Sequence, residues 1–276
     1  MKILLTGGSG FIGRHIKQAL LKLGYELITP SHQEADFNTF STAIQWLPLV
    51  KDIDVVINSV GIIVENKQQS FAQLHTHAPR ALFQACAQAG VKQVIQISAL
   101  GADKDAFTPY QKSKFSADNS LRDLPLRWSI LRPSLVYGEG GASLALFTRL
   151  AKLPIIALPD GGKQRVQPVH ISDLVAAVIQ SLQAKDSQTI DIVGSDAITL
   201  ADYIQAIRAS LGKERLHIIP IPSTLMLAVA QLGKYIIPIM HPDNLRMLQQ
   251  GNCADATPLT ALLGRSPLSI DAGLKQ

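Results

Sequence analysis

The sequence predicts an α/β fold: a doubly wound parallel sheet with a small C-terminal subdomain. Three observations carry this. Short apolar runs alternate with stretches of helical periodicity over the first 135 or so residues. The runs are nearly all aliphatic, as in strands covered by helices on both faces. A glycine-rich turn joins the first run to the first helical stretch.

Lys2–Thr6 reads as a strand and Phe11–Leu23 as a helix with Ile12, Ile16, Ala19, Leu20 and Leu23 on one face. Gly24 supplies the stop. Tyr25–Thr29 is a second strand, followed by a polar link and a helix near Phe40–Val50. Asp54–Ser59 is a strand rich in β-branched residues, and a long helix follows it to Ala89 and Gly90. Gln93–Ser98 (strand), Pro109–Leu121 (helix) and Arg127–Arg132 (strand) complete the regular series. Strands separated by helices require right-handed crossovers and hence a parallel sheet.

After Pro133 the pattern loosens. A loop at Tyr137–Gly141 precedes a helix and the Pro- and Gly-rich segment Leu153–Gly162. Val166–Ile171 reads as a strand entering a helix at Ser172, Ile190–Val193 as another strand and Leu200–Leu211 as a helix. With no repeat and no linker, residues 1–276 are expected to form one continuous unit. Its core covers about 1–135 with 166–195, and a second lobe covers about 136–165 and 196–276.

The 276 residues are 47% hydrophobic but only 5% aromatic, so the core must be aliphatic. The net charge of +5 is scattered rather than gathered in a stripe, which argues against nucleic acid as a partner. Two distant cysteines, Cys86 and Cys253, suit a reducing compartment, and the cytoplasm is the expected location. The apolar start runs directly into the first glycine turn and is too short for a signal sequence. Leu225–Met240 is strongly apolar, but Gln231, Gly233, Lys234 and Pro238 interrupt it. It falls short of the roughly twenty apolar residues a membrane span needs. Its ordinary reading is a core or subunit-contact helix, and its sharper one is a surface meeting a membrane, a protein complex or an apolar substrate.

Thr6-Gly7-Gly8-Ser9-Gly10-Phe11-Ile12-Gly13 is the strongest local signal, because it follows a strand and opens an amphipathic helix. Gly7 permits a tight turn, Gly10 lets backbone approach a pyrophosphate, and Gly13 allows close helix–strand packing. Unpaired amides at the helix start then face the anion. This is the phosphate site of a Rossmann-type dinucleotide fold, and a nicotinamide dinucleotide is the expected ligand. NAD-specific sites carry an acid at the end of the second strand, roughly twenty residues past the glycines. Here Thr29-Pro30-Ser31-His32 stands in that place, and Arg14 lies beside the last glycine to meet a 2′-phosphate. The sequence leans to NADP(H) over NAD.

Tyr110 and Lys114 are four residues apart on a predicted helix and share a face. A phenol of pKa ~10 is a poor acid–base group at neutral pH. A neighbouring ammonium is expected to pull it down and make the pair a proton relay. His75 and His77, two apart on a helix, point to different faces and make a poor metal pair, and no metal site is expected. His170 reads equally as a packing residue and as a substrate contact. Asp173 reads as capping or beginning the helix that follows it.

Together these residues resemble an extended or atypical short-chain dehydrogenase/reductase, the NAD(P)-dependent epimerase/dehydratase group. Thr6–Gly13 is similar to that group's TGxxGxxG loop, and Tyr110 with Lys114 to its catalytic YxxxK. Asp36 and Phe37 resemble its adenine-contacting pair. Asn58-Ser59-Val60-Gly61 sits where its fourth-strand cofactor motif lies, and Ile97 in the next strand is a further cofactor contact that the resemblance implies. Leu131–Gly138, including Pro133, Ser134 and Val136, resembles the segment beside the nicotinamide. Val169–Asp173 resembles a later family element. By this resemblance Tyr110 is the acid–base and Lys114 holds the nicotinamide ribose.

Ile97–Asp103 (ISALGAD) and the Asp243–Pro267 tail are similar to the branch related to a respiratory complex I accessory subunit. Members of that branch commonly bind NADPH and often have no known reaction. The family's third catalytic position, a Ser or Thr past the strand, falls on Ala99, with Ser98 one place early and able to serve as the catalytic hydroxyl if the register slips by one. The resemblance therefore implies an oxidoreductase or epimerase-like enzyme with a small-molecule substrate, or a non-catalytic NADP(H)-binding scaffold attached to a membrane complex. It leaves the oligomeric state open.

Overall fold

The computed structural model describes residues 1–224 and 242–276, so the apolar stretch Leu225–Met240 lies outside the described residues. No described helix is long and apolar enough to cross a membrane. The chain divides into two compact units, Met1–Pro133 with Val175–Asp191, and Ser134–Leu174 with Ile192–Gln276.

The first unit alternates strand and helix: β1 (Lys2–Thr6), α1 (Phe11–Lys22), β2 (Glu26–Ile28), α2 (Ala43–Val50), β3 (Val55–Asn58), α3 (Ala78–Ala89), β4 (Gln93–Ile97), α4 (Pro109–Arg122) and β5 (Arg127–Pro133). The sheet runs in the order β2, β1, β3, β4, β5, and strand Gln188–Ile192 adds a sixth position beyond β5. Every pairing from β2 to β5 is parallel, with Ile3 beside Val55, Ile57 beside Ile95 and Ile95 beside Ser129. This is the doubly wound sheet that the sequence predicts. From β1 the chain steps to one side for β2, then crosses back to the other side for β3. The strand order therefore reverses at β1, and a crevice opens beyond its carboxyl end.

All four residues of β3 are buried, which explains its aliphatic run Val55–Ile57. In α1, Gly13, Ile16 and Leu20 face the core. Leu23, expected on that face, lies past the helix end and is exposed. On the α2 side of the sheet, Trp46 is fully buried, with the edges of Phe37 and Phe40 packed at 4.9 and 5.0 Å between centroids. The long helix before Gly90 opens with a π-helical turn, Ala72–His77, ahead of α3. Pro79 gives a physical reason. It has no N–H to donate to the His75 carbonyl four residues back, so the ladder widens there.

The second unit is built from three two-stranded pieces. Val136–Tyr137 runs parallel to Val169–His170, Ile155–Pro159 runs parallel to His217–Ile221, and Arg165–Val166 lies antiparallel to Ile198–Thr199. Its core gathers Tyr137, Phe147, Leu158, Tyr203 and Ile204. The segment Leu153–Gly162, expected to be irregular, thus contains a strand whose Ile156 and Leu158 face inward. The single strand expected over Val166–Ile171 is two short ones interrupted at Gln167 and Pro168. Val169 and His170 pair with Val136 and Tyr137, so residues 166–174 belong to this unit. Asp173 stands in the first turn of the helix Ile171–Ser181, as expected, and also does more than begin it. Fully buried, its carboxylate accepts from Arg265 Nη2 at 2.6 Å and from the Leu268 amide at 2.8 Å, holding the C-terminal tail.

Trp46→Ala is expected to cost about 3–5 kcal/mol in urea denaturation, from lost burial and an unfilled cavity. Trp46→Phe should cost much less, because the indole N–H it removes has no partner.

Candidate cofactor and proton-transfer site

The site is built where β1 ends. Gly7 has φ +76°, and the Gly10 amide donates to the Gly7 carbonyl at 3.0 Å. A Cβ at Gly13 would fall 2.0 Å from the Gly7 oxygen, and one at Gly7 would fall 2.8 Å from the Ser59 carbonyl carbon. No other residue type fits either position without moving backbone. Gly10 caps α1 with no side-chain bond, and the first turn of α1 carries no acid. Gly7 and Gly8 are half-buried, Ser9 and Gly10 are exposed, and Phe11, Ile12 and Arg14 line the helix start, half-buried. The first-turn amides are thus uncapped by any side chain and set for an anion at the positive end of the helix dipole. These residues fit the diphosphate of a dinucleotide.

Behind the loop runs a polar ladder across three strands. Thr6 Oγ1 donates to Asn58 Oδ1 at 2.7 Å, and Asn58 Nδ2 donates to Gln96 Oε1 at 2.8 Å. Asn58 is fully buried, so it supports the loop rather than touching a ligand, which corrects its expected role as a cofactor contact. Ser59 Oγ donates to the Thr6 carbonyl at 2.7 Å and pins the turn from below.

At the adenine end, Asp36 accepts from the Asn38 amide at 2.9 Å and from its side chain at 3.0 Å. The Phe37 ring is buried against Trp46, which makes it a core residue and not an exposed adenine platform. The Arg14 guanidinium stands over the Phe11 ring, 5.4 Å from its centroid. Ser134 and Val136 lie in the second unit. There the Ser134 hydroxyl donates to the Gln167 carbonyl. Pro133 ends β5, and its carbonyl accepts from the Leu100 amide.

Helix α4 starts with Thr108, whose hydroxyl accepts from the Gln111 amide, and Pro109 follows in the first turn. Tyr110, Lys114 and Asp118 then repeat every four residues down one face. The half-buried Tyr110 heads that face. Lys114 is only 4% exposed, and its Nζ donates to the Val60 carbonyl at 3.2 Å and the Ile97 carbonyl at 3.1 Å. Two of its three N–H donors are used. Gly61, exposed, sits over this ammonium, and a Cβ there would come within 3.1 Å of Nζ. Gly61 therefore lets the backbone pass close over the charge without crowding it.

The expected pull of Lys114 on the phenol is not what this geometry produces. Burial pushes Tyr110 up to about 12, and the Asp118 carboxylate adds to the rise. Burial also brings Lys114 down to about 8, against the opposing pull of Asp118. Ser98 needs correction too. It is buried, and its hydroxyl donates to Asp118 Oδ2 at 2.5 Å, so it faces the helix and is committed there. The next residues, Ala99 and Leu100, carry no hydroxyl. Asp118, fully buried with Oδ1 unpartnered, escaped the sequence reading, although its spacing from Lys114 was there to be seen. The two histidines part company as expected, with His75 buried and His77 exposed.

A family model described as the NAD dependent epimerase/dehydratase family matches residues 3–193, more than half of the chain. The chain belongs to that family. Binding of a nicotinamide nucleotide follows at the level of class. Among curated relatives of this epimerase-family chain, a mitochondrial NADH dehydrogenase (ubiquinone) 1 alpha subcomplex subunit 9 of Arabidopsis thaliana is 26% identical, covering 70% of the chain but 54% of the relative. A ceramide reductase of Caulobacter vibrioides is 24% identical, covering 81% and 75%. The chain thus spans little more than half the length of the plant subunit it matches. Among solved structures, a UDP-N-acetylglucosamine 4-epimerase from Bacillus cereus superposes with a TM-score of 0.76 at 19% identity, covering 100% of this chain and 97% of the other. That likeness shows the fold.

Burial lifts the Asp118 carboxyl from 3.8 to about 6, against the lowering contributions of the Ser98 bond and the Lys114, Arg122 and Arg132 charges. Between those values the folded chain keeps a proton that the unfolded chain releases, so stability falls as pH rises through the window. Urea denaturation at pH 4 and pH 6 should show a smaller loss for Asp118→Asn than for the wild-type chain.

Proposed function

We propose that this chain is an NADP(H)-preferring oxidoreductase or epimerase-like enzyme that acts on a small-molecule alcohol or carbonyl in the cytoplasm. The observation that carries the reading is the Lys114 ammonium. It is buried on two strand-end carbonyls with one donor to spare, under exposed Gly61 and one helical turn from Tyr110.

When bound, the nicotinamide supplies or accepts the hydride. The chain's own groups do the rest. Amides of residues 7–13 bind the diphosphate, and Lys114 holds the nicotinamide ribose with its remaining donor. Tyr110 moves the proton at the substrate oxygen. Held at about 12, its phenol is protonated at neutral pH and works as the acid that delivers a proton to a carbonyl being reduced. Lys114 is a cation below about 8, so it lends a positive charge to the same place at neutral pH. The preference for NADP(H) is supported by the lack of an acid at the end of β2 and by Arg14 in the first turn of α1. Two free thiols support the reducing location.

A second reading is favoured by one specific observation. With Ser98 bound to Asp118 and no hydroxyl at 99 or 100, no group of the β4 exit polarises a substrate oxygen. A chain so built would bind the cofactor without efficient turnover and serve as a scaffold, consistent with relatives named as subunits of a respiratory dehydrogenase. Contact with a membrane or protein complex through residues 225–240 belongs to this reading.

Fluorescence titration should give tighter binding of NADPH than of NADH, and failure of both to bind would remove the foundation of either reading. Affinity for NADPH should decline as pH rises past about 8, where Lys114 loses its proton. Turnover across a panel of ketones and aldehydes, abolished in Tyr110→Phe, separates enzyme from scaffold. Binding without turnover selects the scaffold.

A further inference from the structure

His75 belongs to none of the roles assigned so far, yet it is 1% exposed and bonded through both ring nitrogens. The Ile62 amide donates to its Nε2 at 2.9 Å. Its Nδ1 lies 3.0 Å from Ser113 Oγ, and that hydroxyl spends its single proton on the Tyr110 carbonyl at 2.7 Å. The network therefore fixes one tautomer. Nδ1 carries the hydrogen and donates to Ser113, while Nε2 is bare and accepts from Ile62. A second proton on Nε2 would point at an N–H. In agreement, burial and the Lys114 charge hold the imidazole down to about 2. The ring is wedged on its other sides. Phe71 stacks on it at 5.3 Å and 22°, and Tyr110 meets it edge-on at 5.5 Å. It stands on the π-helical turn, a local widening that proteins often place at functional positions.

The strand exit that His75 grips is the one that serves Lys114. Val60 donates its amide to Asn58 Oδ1 at 3.3 Å and gives its carbonyl to Lys114 Nζ, while Ile62 gives its amide to His75. Gly61 lies between these two fixed residues. A Cβ on it would stand 3.1 Å from Lys114 Nζ and 3.4 Å from His75 Nε2. The Asn58 bond holds one side of the exposed glycine and the His75 bond holds the other.

We propose that His75 is a positioning residue, a neutral imidazole that ties the Val60–Gly61–Ile62 turn to the π-helical turn Ala72–His77 so that the Lys114 ammonium stays presented to the nicotinamide ribose. This rests on the cofactor reading proposed for the site. The bond that matters is the one accepted from Ile62, since Ser113 is already fixed to the Tyr110 carbonyl on its own helix.

Two substitutions divide the imidazole between them. The amide of Asn reaches the place of Nδ1 and keeps Ser113, whereas the amide oxygen of Gln reaches the place of Nε2 and keeps Ile62. Titrations of the full chain use NADPH, and then ADP and adenosine 2′,5′-bisphosphate, which lack the nicotinamide riboside. His75→Gln should bind NADPH within about twofold of wild type. His75→Asn should bind it about tenfold more weakly, the loss of one hydrogen bond's worth of placement, with ADP and the bisphosphate unchanged in both. Equal NADPH affinity in the two variants overturns the proposal. So does an Asn variant that loses the adenine nucleotides as well, because His75 is then merely part of the packing. A wild-type chain that binds adenine nucleotides but no nicotinamide nucleotide fails at the cofactor reading itself.

Discussion

The contact on which the rest depends is the approach of Gly13 to Gly7. Helix α1 comes so near the end of β1 that even a methyl group at residue 13 would strike the carbonyl of residue 7. This fixes the helix axis over the point where the strand order reverses, and so aims its first-turn amides into the crevice. Neighbouring strands then supply the remaining parts at set depths. Just past the end of β3, Ser59 braces the turn and the Val60 carbonyl accepts from Lys114, and β4 ends in Ile97, whose carbonyl takes the same ammonium. The phosphate loop and the lysine are thus two products of one sheet end.

Buried charge is the second organising theme. Lys114 and Asp118 stand one turn apart on α4, both withdrawn from water. A buried pair of this kind is a weak source of stability, since desolvation consumes much of the attraction. An apolar helix face would pack there at less cost. Under the proposed function the charges are equipment for a ligand, with the ammonium beneath exposed Gly61 and the carboxylate turned to Ser98. The same arrangement withdraws from the substrate side the hydroxyl nearest to the family's third catalytic position. A single helix face therefore equips the lysine and disarms the serine.

Much of this was legible in the sequence. Aliphatic runs gave the strands of the first unit to within a residue or two, because burial on both faces leaves no choice of residue type. The glycine turn and the Tyr110–Lys114 spacing were legible because backbone geometry dictates them. What escaped depends on where side chains go. Four-residue spacing places Tyr110 and Lys114 on one face, but a long flexible stem took the ammonium to two carbonyls, and burial then raised the phenol instead of lowering it. Phe37 resembled an adenine contact, and nothing local announces Trp46 beneath it. The strand Ile155–Pro159 finds its partner some sixty residues later, beyond the reach of any local pattern. The π-helical turn had a signal in Pro79, but periodicity alone smooths such a widening away.

The Thr6–Asn58–Gln96 ladder has a consequence for how this protein can change over generations. Each member satisfies a neighbour on the next strand in a place closed to water. Altering one strands the others' polar atoms, whereas three matched apolar side chains would leave only the Val60 amide unmet. Positions 6, 58 and 96 are therefore free to drift only as a set. An isolated replacement at any of them should be rarer among descendants than its distance from bound ligand would suggest.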